Sequence, residues 1–370
     1  MDNVLTPASN VLLTGATGFI GGELAQRLDG FSRANVWTLV RPRSGEDISA
    51  RLAERYRRSG RIDLPGPNLH PLAGDVTRPD WGLSGGDLDT VLDGVDVIIH
   101  SAADTSFAAQ NDTGKTNVEG VRNLIGLASR CRRRPLIVYL GTASNIGEAA
   151  HCCLREQDGC QPDNKHFNDY THSKAVAETL LRESGLPVLT LRPTIVLSAG
   201  LPDAGFARQI LWCVPLGRCF RCLPIDPESR LDLVDVGFVA DAALALMCRP
   251  GRRHDCYHLS AGPGNAQKVG PLSEVVDWFY RRKQPLQFVP PAEWTFSHHR
   301  KFVRSEMQRW LFRSLRYYLP FMNMDVVYDD SRLREELGDE TPEVRPPQEY
   351  LPDLLALIRP QAALREAALP

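Results

Sequence analysis

The chain begins with a regular alternation of two patterns of apolar residues. Short runs that are apolar at every position predict strands buried on both faces, as in a parallel sheet. The segments between them repeat apolar residues every three or four positions and predict helices, such as the face formed by Ile48, Leu52 and Tyr56. Together they predict an α/β fold, a Rossmann-type doubly wound parallel sheet. The predicted strands are residues 11–14, 35–40, 69–74, 95–99 and 136–140.

The alternation stops after the apolar run at residues 189–194. A strand and a helix over residues 231–247 and a few later elements follow, separated by segments rich in proline, cysteine and arginine. We expect a dinucleotide-binding domain and a smaller C-terminal substrate-binding or lid region, with the substrate pocket between them. The expected units are residues 8–194 with 231–260 for the first and residues 195–230 with 261–370 for the second.

A glycine-rich turn directly follows the first predicted strand. Its glycines are spaced three apart, and a helical pattern continues behind them. This arrangement lets the backbone approach a pyrophosphate and directs helix N–H groups and the helix dipole at it. It predicts a dinucleotide site that includes Gly15, Thr17, Gly18, Phe19, Ile20 and Gly21.

The end of the second predicted strand favours NADP(H) over NAD(H). An acidic residue there would hold the ribose 2′-hydroxyl of NAD, whereas arginine accommodates the 2′-phosphate of NADP. The strand ends in Arg41 and has no acidic residue at that end. Arg41 could also be no more than a solvated strand end.

Further candidates follow the later strands. Ligands of such sheets bind at the carboxyl ends of the strands. Asp75 and Val76 follow the third strand, residues 101–103 follow the fourth, and Thr142 follows the fifth. We expect them to share one rim of the sheet with the glycine turn.

Tyr170 and Lys174 stand four residues apart at the start of a predicted helix. Residues at i and i+4 share a helix face, so the phenol and the ammonium can converge. A nearby positive charge lowers the pKa of a tyrosine and makes it a usable proton donor or acceptor. Thr142 can hydrogen-bond the same substrate oxygen. The alternative is a surface lysine with a capping threonine.

Composition and charge narrow the class of protein. The chain is 43% hydrophobic and 24% charged with a net charge of −2, so it has no general basic field for nucleic acid or an anionic membrane. Its apolar runs are far shorter than the roughly 18 residues of a membrane-spanning helix, and its start lacks the pattern of a secretory signal. We expect a cytoplasmic protein. The nine cysteines show no matched pairs typical of zinc sites, so we expect free thiols and no metal.

Residues 299–318 combine an apolar stripe with a strongly basic face. The spacing predicts one amphipathic helix whose polar face carries five arginines and a lysine against a single glutamate. It could be a lid over an apolar substrate, a dock for an acidic carrier protein or CoA phosphates, or a helix at a membrane surface. It could also be a core-packed helix with a solvated face.

The glycine turn, Tyr170-x-x-x-Lys174 and Thr142 resemble the extended short-chain dehydrogenase/reductase superfamily. Within it, the chain resembles the branch of fatty acyl-CoA reductases and of the thioester reductase domains of carboxylic acid reductases and peptide synthetases. The likeness covers residues 10–260 well and the rest loosely. The segments that carry it are residues 39–41, 74–77, 81–84, 100–107, 117–120 and 327–333.

The resemblance implies roles for individual residues. Tyr170 would donate or accept the proton, Lys174 would hold the nicotinamide ribose and tune Tyr170, and Thr142 would steady the substrate oxygen. Asn117 would be structural or part of a relay. The implied cofactor lining is the glycine turn, Arg41, Asp75, Val76, Ser101, Ala102, Ala103, Tyr170, Lys174, Pro193, Thr194 and Ile195.

Two segments depart from the branch. Residues 141–147 lack the tyrosine that the branch often carries near there, and the loop 152–167 is idiosyncratic, so the resemblance does not give the identity of the substrate. The first hypothesis is NADPH-dependent reduction of an acyl thioester, bound to CoA or a carrier protein, to an aldehyde and onward to an alcohol. The alternatives are a ketone, hydroxysteroid or dihydroflavonol-type oxidoreductase and a nucleotide-sugar epimerase or dehydratase.

Overall fold

The computed structural model describes residues 4–58, 66–107, 113–198 and 219–357. The strands are β1 (Val11–Thr14), β2 (Val36–Val40), β3 (Leu69–Ala73), β4 (Val97–His100), β5 (Leu136–Leu140), β6 (Cys152–Leu154), β7 (Val188–Pro193), β8 (Ile195–Leu197), β9 (Cys222–Leu223), β10 (Arg230–Leu231), β11 (Leu233–Asp235), β12 (Cys256–Leu259), β13 (Gln267–Lys268), β14 (Gln287–Phe288) and β15 (Val326–Tyr328).

The described α-helices are α1 (Phe19–Phe31), α2 (Ile48–Arg58), α3 (Gly85–Gly94), α4 (Gly120–Arg130), α5 (Asp169–Glu183), α6 (Val236–Cys248), α7 (Val269–Phe279), α8 (Phe296–Phe302), α9 (Glu306–Leu315), α10 (Leu319–Asn323), α11 (Ser331–Leu337) and α12 (Pro347–Leu357). A π-helical turn, Gly114–Glu119, leads into α4. Among the described residues, no helix is both long and apolar enough to cross a bilayer.

Seven strands form one parallel sheet in the order β12-β7-β5-β4-β1-β2-β3. The chain runs from β1 outward to β3 and then returns to place β4 on the other side of β1. The strand order therefore reverses between β1 and β4, which is where a doubly wound sheet opens a ligand crevice at its carboxyl edge. This topology confirms the predicted Rossmann-type fold.

The sheet is covered on both faces because its strands are apolar at successive positions. Leu13 of β1 packs in the cluster that contains α1 and α6, and its neighbour Leu12 packs in the cluster that contains α3, α4 and α5. Side chains alternate between faces along a strand, so such runs need a helical layer on each side. All four residues of β1 are buried.

The C-terminal residues build a separate apolar cluster. Leu197, Leu223, Leu272, Leu311 and Leu354 belong to it, although they lie far apart in the sequence. Its strands pair two by two, β8 with β11, β9 with β14 and β10 with β13, and none of these joins the seven-stranded sheet.

The prediction of one helix over residues 299–318 was wrong. The segment forms α8 and α9, and Val303 between them has a non-helical backbone. Ser305 starts the second helix, because its hydroxyl accepts a hydrogen bond from the Gln308 N–H at 3.0 Å and the Gln308 side chain accepts one from the Ser305 N–H at 3.1 Å. Met307, predicted on the apolar face, is 50% exposed.

Candidate active site

The glycine turn lies at the carboxyl end of β1 and leads into α1. Gly15 has φ of +75°, and a methyl group on it would lie 2.8 Å from the Ala102 nitrogen. A methyl group on Gly21 would lie 2.2 Å from the Gly15 carbonyl oxygen. The turn therefore needs glycine at both positions. Thr17, Gly18, Phe19 and Ile20 complete it, and Gly18 is exposed at the start of the helix.

The β4 end is fixed to this turn by a buried hydrogen-bond chain. The Ala102 N–H donates to the Thr14 hydroxyl, which lies 3.1 Å from Nδ1 of His100. His100 is stacked between the rings of Trp81 and Tyr139, and burial lowers its pKa to about 3, so it is neutral. Ser101, Ala102 and Ala103 follow it directly, next to the glycine turn as predicted.

A group of arginines stands at the carboxyl end of β2. Arg41 and Arg43 are exposed there, and Arg51 of α2 donates a hydrogen bond to the Arg41 carbonyl. Partial burial and the positive charges of Arg43 and Arg41 lower the pKa of Arg51, against the opposing effect of Glu46. Like charges held this close favour an anion as their ligand.

Asp75 and Val76 occupy the turn after β3. The Asp75 carboxylate accepts hydrogen bonds from the Thr77 N–H and hydroxyl, both at 2.9 Å, which fixes the turn. Val76 is buried, and its carbonyl accepts a hydrogen bond from Asn123 of α4. Both lie at the predicted rim.

Thr142 and Tyr170 meet beyond the end of β5. Burial raises the pKa of Tyr170 to about 12, and the nearby Thr142 hydroxyl opposes this rise as a hydrogen-bond partner of the phenol. The phenol is therefore protonated throughout the neutral pH range. This direction differs from the expectation that Lys174 lowers the pKa of Tyr170.

Lys174 lies one turn after Tyr170 on α5 and is 3% exposed. Its ammonium donates a 2.6 Å hydrogen bond to the Leu140 carbonyl and lies 4.4 Å from the centre of the Tyr139 ring. Burial lowers its pKa to about 7, against the opposing effect of the Glu178 carboxylate. Its charge is thus directed at the end of β5 rather than at the phenol.

Glu178, one further turn along α5, anchors the helix that carries both residues. Arg192 of β7 donates two 3.1 Å hydrogen bonds from Nε and a shorter one from its terminal nitrogen to the Glu178 carboxylate. Asn145 donates to the same carboxylate at 2.7 Å. All three side chains are buried, so their pairing fixes α5 against the sheet and the loop after Thr142.

Asn117 connects two other parts of the rim. Its side chain accepts from the Asp104 N–H at 2.8 Å and is bonded to the Ser173 hydroxyl at 2.9 Å. Ser173 donates to the Tyr170 carbonyl at 2.8 Å. Asn117 thereby holds the segment after β4 against the start of α5.

The chain crosses to the C-terminal cluster at Pro193, Thr194 and Ile195. The Thr194 hydroxyl donates a 2.9 Å hydrogen bond to Asp232, and burial raises the pKa of this carboxyl to about 6. Asp232 also accepts the Ala261 N–H at 2.9 Å. Ile195 is only partly buried and borders an apolar pocket.

Several of these residues were not among the predicted site residues. Arg51 gave a usable signal, since it is a basic residue in the helix that follows the strand ending in Arg41. Glu178 lies on the face of Tyr170 and Lys174 at the same four-residue spacing. Its partner Arg192 gave no signal in the sequence, because the pairing depends on how β7 lies beside α5.

This geometry suits a dinucleotide. The glycine turn offers backbone where any side chain would intrude, and the exposed start of α1 presents N–H groups to a phosphate. The arginines lie at the next strand end, and the Thr142 and Tyr170 side chains meet at a third. One rim of the sheet therefore carries a glycine turn open to a phosphate, a group of arginines and a phenol that is protonated at neutral pH.

A family model described as male sterility protein matches residues 13–243. This is more than half of the chain, and it includes the glycine turn, Thr142, Tyr170 and Lys174. The matched domain is of the nicotinamide-cofactor-binding kind.

Curated relatives are similar over most of the chain. A linear gramicidin synthase of Brevibacillus parabrevis is 30% identical over 259 residues, 67% of this chain and 5% of that protein. Carboxylic acid reductase of Mycobacterium marinum is 30% identical over 317 residues, which are 76% of this chain and 26% of that protein. Fatty acyl-CoA reductase 2 of Mus musculus is 27% identical over 309 residues, and the match covers 70% of this chain and 60% of that protein. The chain spans less than two thirds of each.

Solved structures extend the likeness to the C-terminal residues. The terminal R domain from the myxalamid PKS-NRPS biosynthetic pathway has a TM-score of 0.77 at 26% identity, covering 94% of this chain and 91% of that domain. A thiolation-reductase di-domain from an archaeal non-ribosomal peptide synthetase has a TM-score of 0.70 at 19% identity, covering 94% and 75%, and shows the shared fold. The chain belongs to the male sterility protein family, a group of oxidoreductases of the extended short-chain dehydrogenase/reductase type.

Proposed function

We propose that the protein uses NADPH to reduce an acyl thioester to an aldehyde. The observation that carries this proposal is the meeting of Thr142 and Tyr170, with Lys174 on the same helix, on the rim that holds the glycine turn. Relatives named carboxylic acid reductase and fatty acyl-CoA reductase support the choice of an acyl substrate.

The arginines at the β2 end support NADPH rather than NADH. Arg41, Arg43 and Arg51 supply guanidinium groups that can form bidentate hydrogen bonds with a 2′-phosphate. A ribose 2′-hydroxyl would instead call for a carboxylate, and Glu46 is already paired with Arg51 at 3.3 Å.

The chemistry of this chain centres on the substrate oxygen. A bound reduced nicotinamide supplies the hydride. Tyr170 and Thr142 hydrogen-bond the thioester carbonyl oxygen and stabilise the negative charge that develops there. Tyr170 then transfers its proton to that oxygen, and loss of the thiol leaves an aldehyde. In a second reduction the same residues would act on the aldehyde oxygen, and the product would be an alcohol.

The surrounding residues keep this geometry in place. Glu178 and Arg192 fix the helix that carries Tyr170, and Asn117 holds its first turn through Ser173. The role proposed for Lys174 is to hold the nicotinamide ribose, for which its ammonium must give up or share the Leu140 carbonyl. The cofactor lining proposed from the sequence is retained, with Arg43 and Arg51 added.

The acyl group would arrive on a thiol carrier. CoA and the phosphopantetheine arm of a carrier protein present the same thioester, and the structural neighbours include reductase domains of peptide synthetases. We propose that a substrate bound to either thiol is received by the C-terminal region of residues 195–230 and 261–370, of which residues 199–218 and 358–370 lie outside the described residues.

The test is oxidation of NADPH by the purified protein with octanoyl-CoA, octanal or a simple ketone. We expect turnover of the thioester, and a loss of roughly 10²- to 10⁴-fold in kcat for Tyr170→Phe. NADPH binding, followed by its fluorescence, should be retained. Tyr350→Phe is the matched control, because it removes a buried hydroxyl that makes no hydrogen bond within the described residues.

Turnover of the ketone alone would replace the thioester proposal with a carbonyl reductase. A nucleotide that copurifies tightly, with no net NADPH oxidation on any of these compounds, would point to an epimerase or dehydratase instead.

A further inference from the structure

An apolar pocket of about 130 Å³ lies within the C-terminal cluster. Most of its lining side chains are aliphatic and come from strands and helices distant in sequence. They include Leu223, Leu231, Val269, Val276, Leu315 and Met322.

The pocket adjoins the proposed catalytic site in two places. Ile195, in the proposed cofactor lining, is also part of the pocket wall. Phe321 lines the pocket, and its ring centre lies 5.1 Å from that of Phe107, which lies 5.7 Å from that of Tyr170. Two stacked rings therefore separate the pocket from the phenol.

The few polar groups in the pocket wall are already paired. Arg282 is 3.2 Å from the Asp277 carboxylate and donates to the Phe220 carbonyl at 2.9 Å. Asp277 also accepts the Leu286 N–H at 2.8 Å, and the Ser273 hydroxyl donates to the Gly270 carbonyl. A polar ligand would lose its hydrogen bonds to water here and gain no new partner. An alkyl group makes no hydrogen bonds to water, so its burial carries no such cost.

We propose that this pocket binds the aliphatic end of the acyl group and selects chains of medium length. The proposal rests on the proposed function and names its substrate class. An apolar cavity of about 150 Å³ takes up benzene, so this pocket has room for roughly four to six carbons. The part of the acyl chain between the pocket and the thioester carbon would run along the Phe321 and Phe107 rings.

The first test is kcat/KM for a series of saturated acyl-CoA thioesters from butanoyl to hexadecanoyl. Each methylene that enters the pocket should raise kcat/KM roughly fourfold, until the pocket is full. Val276→Phe fills the pocket and should move the optimum to shorter chains. Met322→Ala enlarges it and should move the optimum to longer chains.

Val275→Phe is the matched control. It makes the same change at the adjacent position of α7, in a side chain that packs against the same cluster without lining the pocket. Its chain-length profile should match that of the wild type. A uniform loss at every chain length in Val276→Phe, with no shift in Met322→Ala, would overturn the pocket assignment.

Binding of 1-octanol without NADPH, measured by calorimetry, separates the two proposals. We expect the wild type and Val275→Phe to bind it and Val276→Phe to lose most of the affinity. Thioester turnover with a flat chain-length profile and no octanol binding would overturn the pocket and leave the proposed function standing. Octanol binding that Val276→Phe abolishes, without thioester turnover, would overturn the proposed function and leave an alkyl-binding pocket.

Discussion

The seven-stranded sheet and the C-terminal cluster are built in different ways. Strands of the sheet have four to six residues and pair side by side, whereas the C-terminal strands β9, β10, β13 and β14 have two residues each. The core of the sheet is mainly fully buried aliphatic residues. The C-terminal core is bordered by many half-buried aromatic residues, such as Trp294, Trp310 and Phe312.

This difference suits two proposed roles, in which the rim of the sheet carries out the reaction and the C-terminal cluster selects the substrate. The helix that carries Tyr170, the residue proposed for proton transfer, is anchored by the buried pair of Glu178 and Arg192. The groups proposed for substrate choice are apolar side chains, whose size can change without leaving a buried charge unpaired. Substitutions at the rim should therefore affect every substrate, and substitutions in the pocket should affect only some.

The largest effect that would sharpen this comparison is expected at the glycine turn. In Gly21→Ala the new methyl group would lie 2.2 Å from the Gly15 carbonyl oxygen, so the turn must move. Overpacking of this kind costs about 1–3 kcal/mol, and we expect NADPH to bind up to roughly a hundredfold more weakly. The measurement is fluorescence titration with NADPH.

Gly30→Ala, in the same helix, is the control. A methyl group there meets no atom within 4 Å, so binding should be unchanged and the protein slightly more stable, by about 0.4–1 kcal/mol. Equal affinity in both variants would mean that the turn does not hold the cofactor.

The second effect is on stability and depends on pH. Burial lowers the pKa of Lys174 from 10.5 to about 7, so between these values the unfolded chain holds a proton that the folded chain lacks. Stability should therefore rise with pH in this window. From pH 7 to 9 the wild type should gain about 2 kcal/mol relative to Lys174→Met, measured by urea unfolding without added NADPH. A constant difference between the two proteins would show that the lysine is not held as the structure has it.

The sheet was predictable because its signals are local. Residues 136–140 are apolar throughout and end at Gly141, and β5 has the predicted bounds. The helix at residues 299–318 was mispredicted because the apolar stripe continues in phase across the break. The capping pair Ser305 and Gln308 was the signal for it. The pocket could not be predicted, since its wall combines side chains from seven separate segments between Ile195 and Leu351.

The third effect concerns the choice between cofactors. Arg51→Leu removes a charge that partly neutralises the proposed 2′-phosphate, and a charge-assisted hydrogen bond contributes about 1.5–3 kcal/mol. The ratio of kcat/KM for NADPH to that for NADH should fall at least roughly tenfold. Arg57→Leu, at an exposed position of the same helix, should leave the ratio as it is. A fall in kcat/KM with both cofactors alike would contradict a 2′-phosphate contact.

The smallest effect is expected on the basic surface of α8 and α9. Arg309 and Arg313 lie four residues apart on α9, both are exposed, and neither has an acidic partner within 4 Å among the described residues. An acidic carrier protein would fit this surface, so we expect the double reversal Arg309→Glu/Arg313→Glu to raise KM several-fold for a carrier-bound thioester. Added salt should raise the wild-type KM in the same way, because exposed charges are screened.

The matched control is Arg132→Glu/Arg134→Glu, which reverses two exposed arginines just before β5, at the opposite edge of the sheet. It changes the net charge of the protein equally and should leave KM for the carrier-bound substrate unchanged. Octanal needs no carrier, so its KM should not respond to either pair. An equal rise for octanal in Arg309→Glu/Arg313→Glu would place the effect in the pocket, because Leu311 and Leu315 between and beyond these arginines pack in the same apolar cluster.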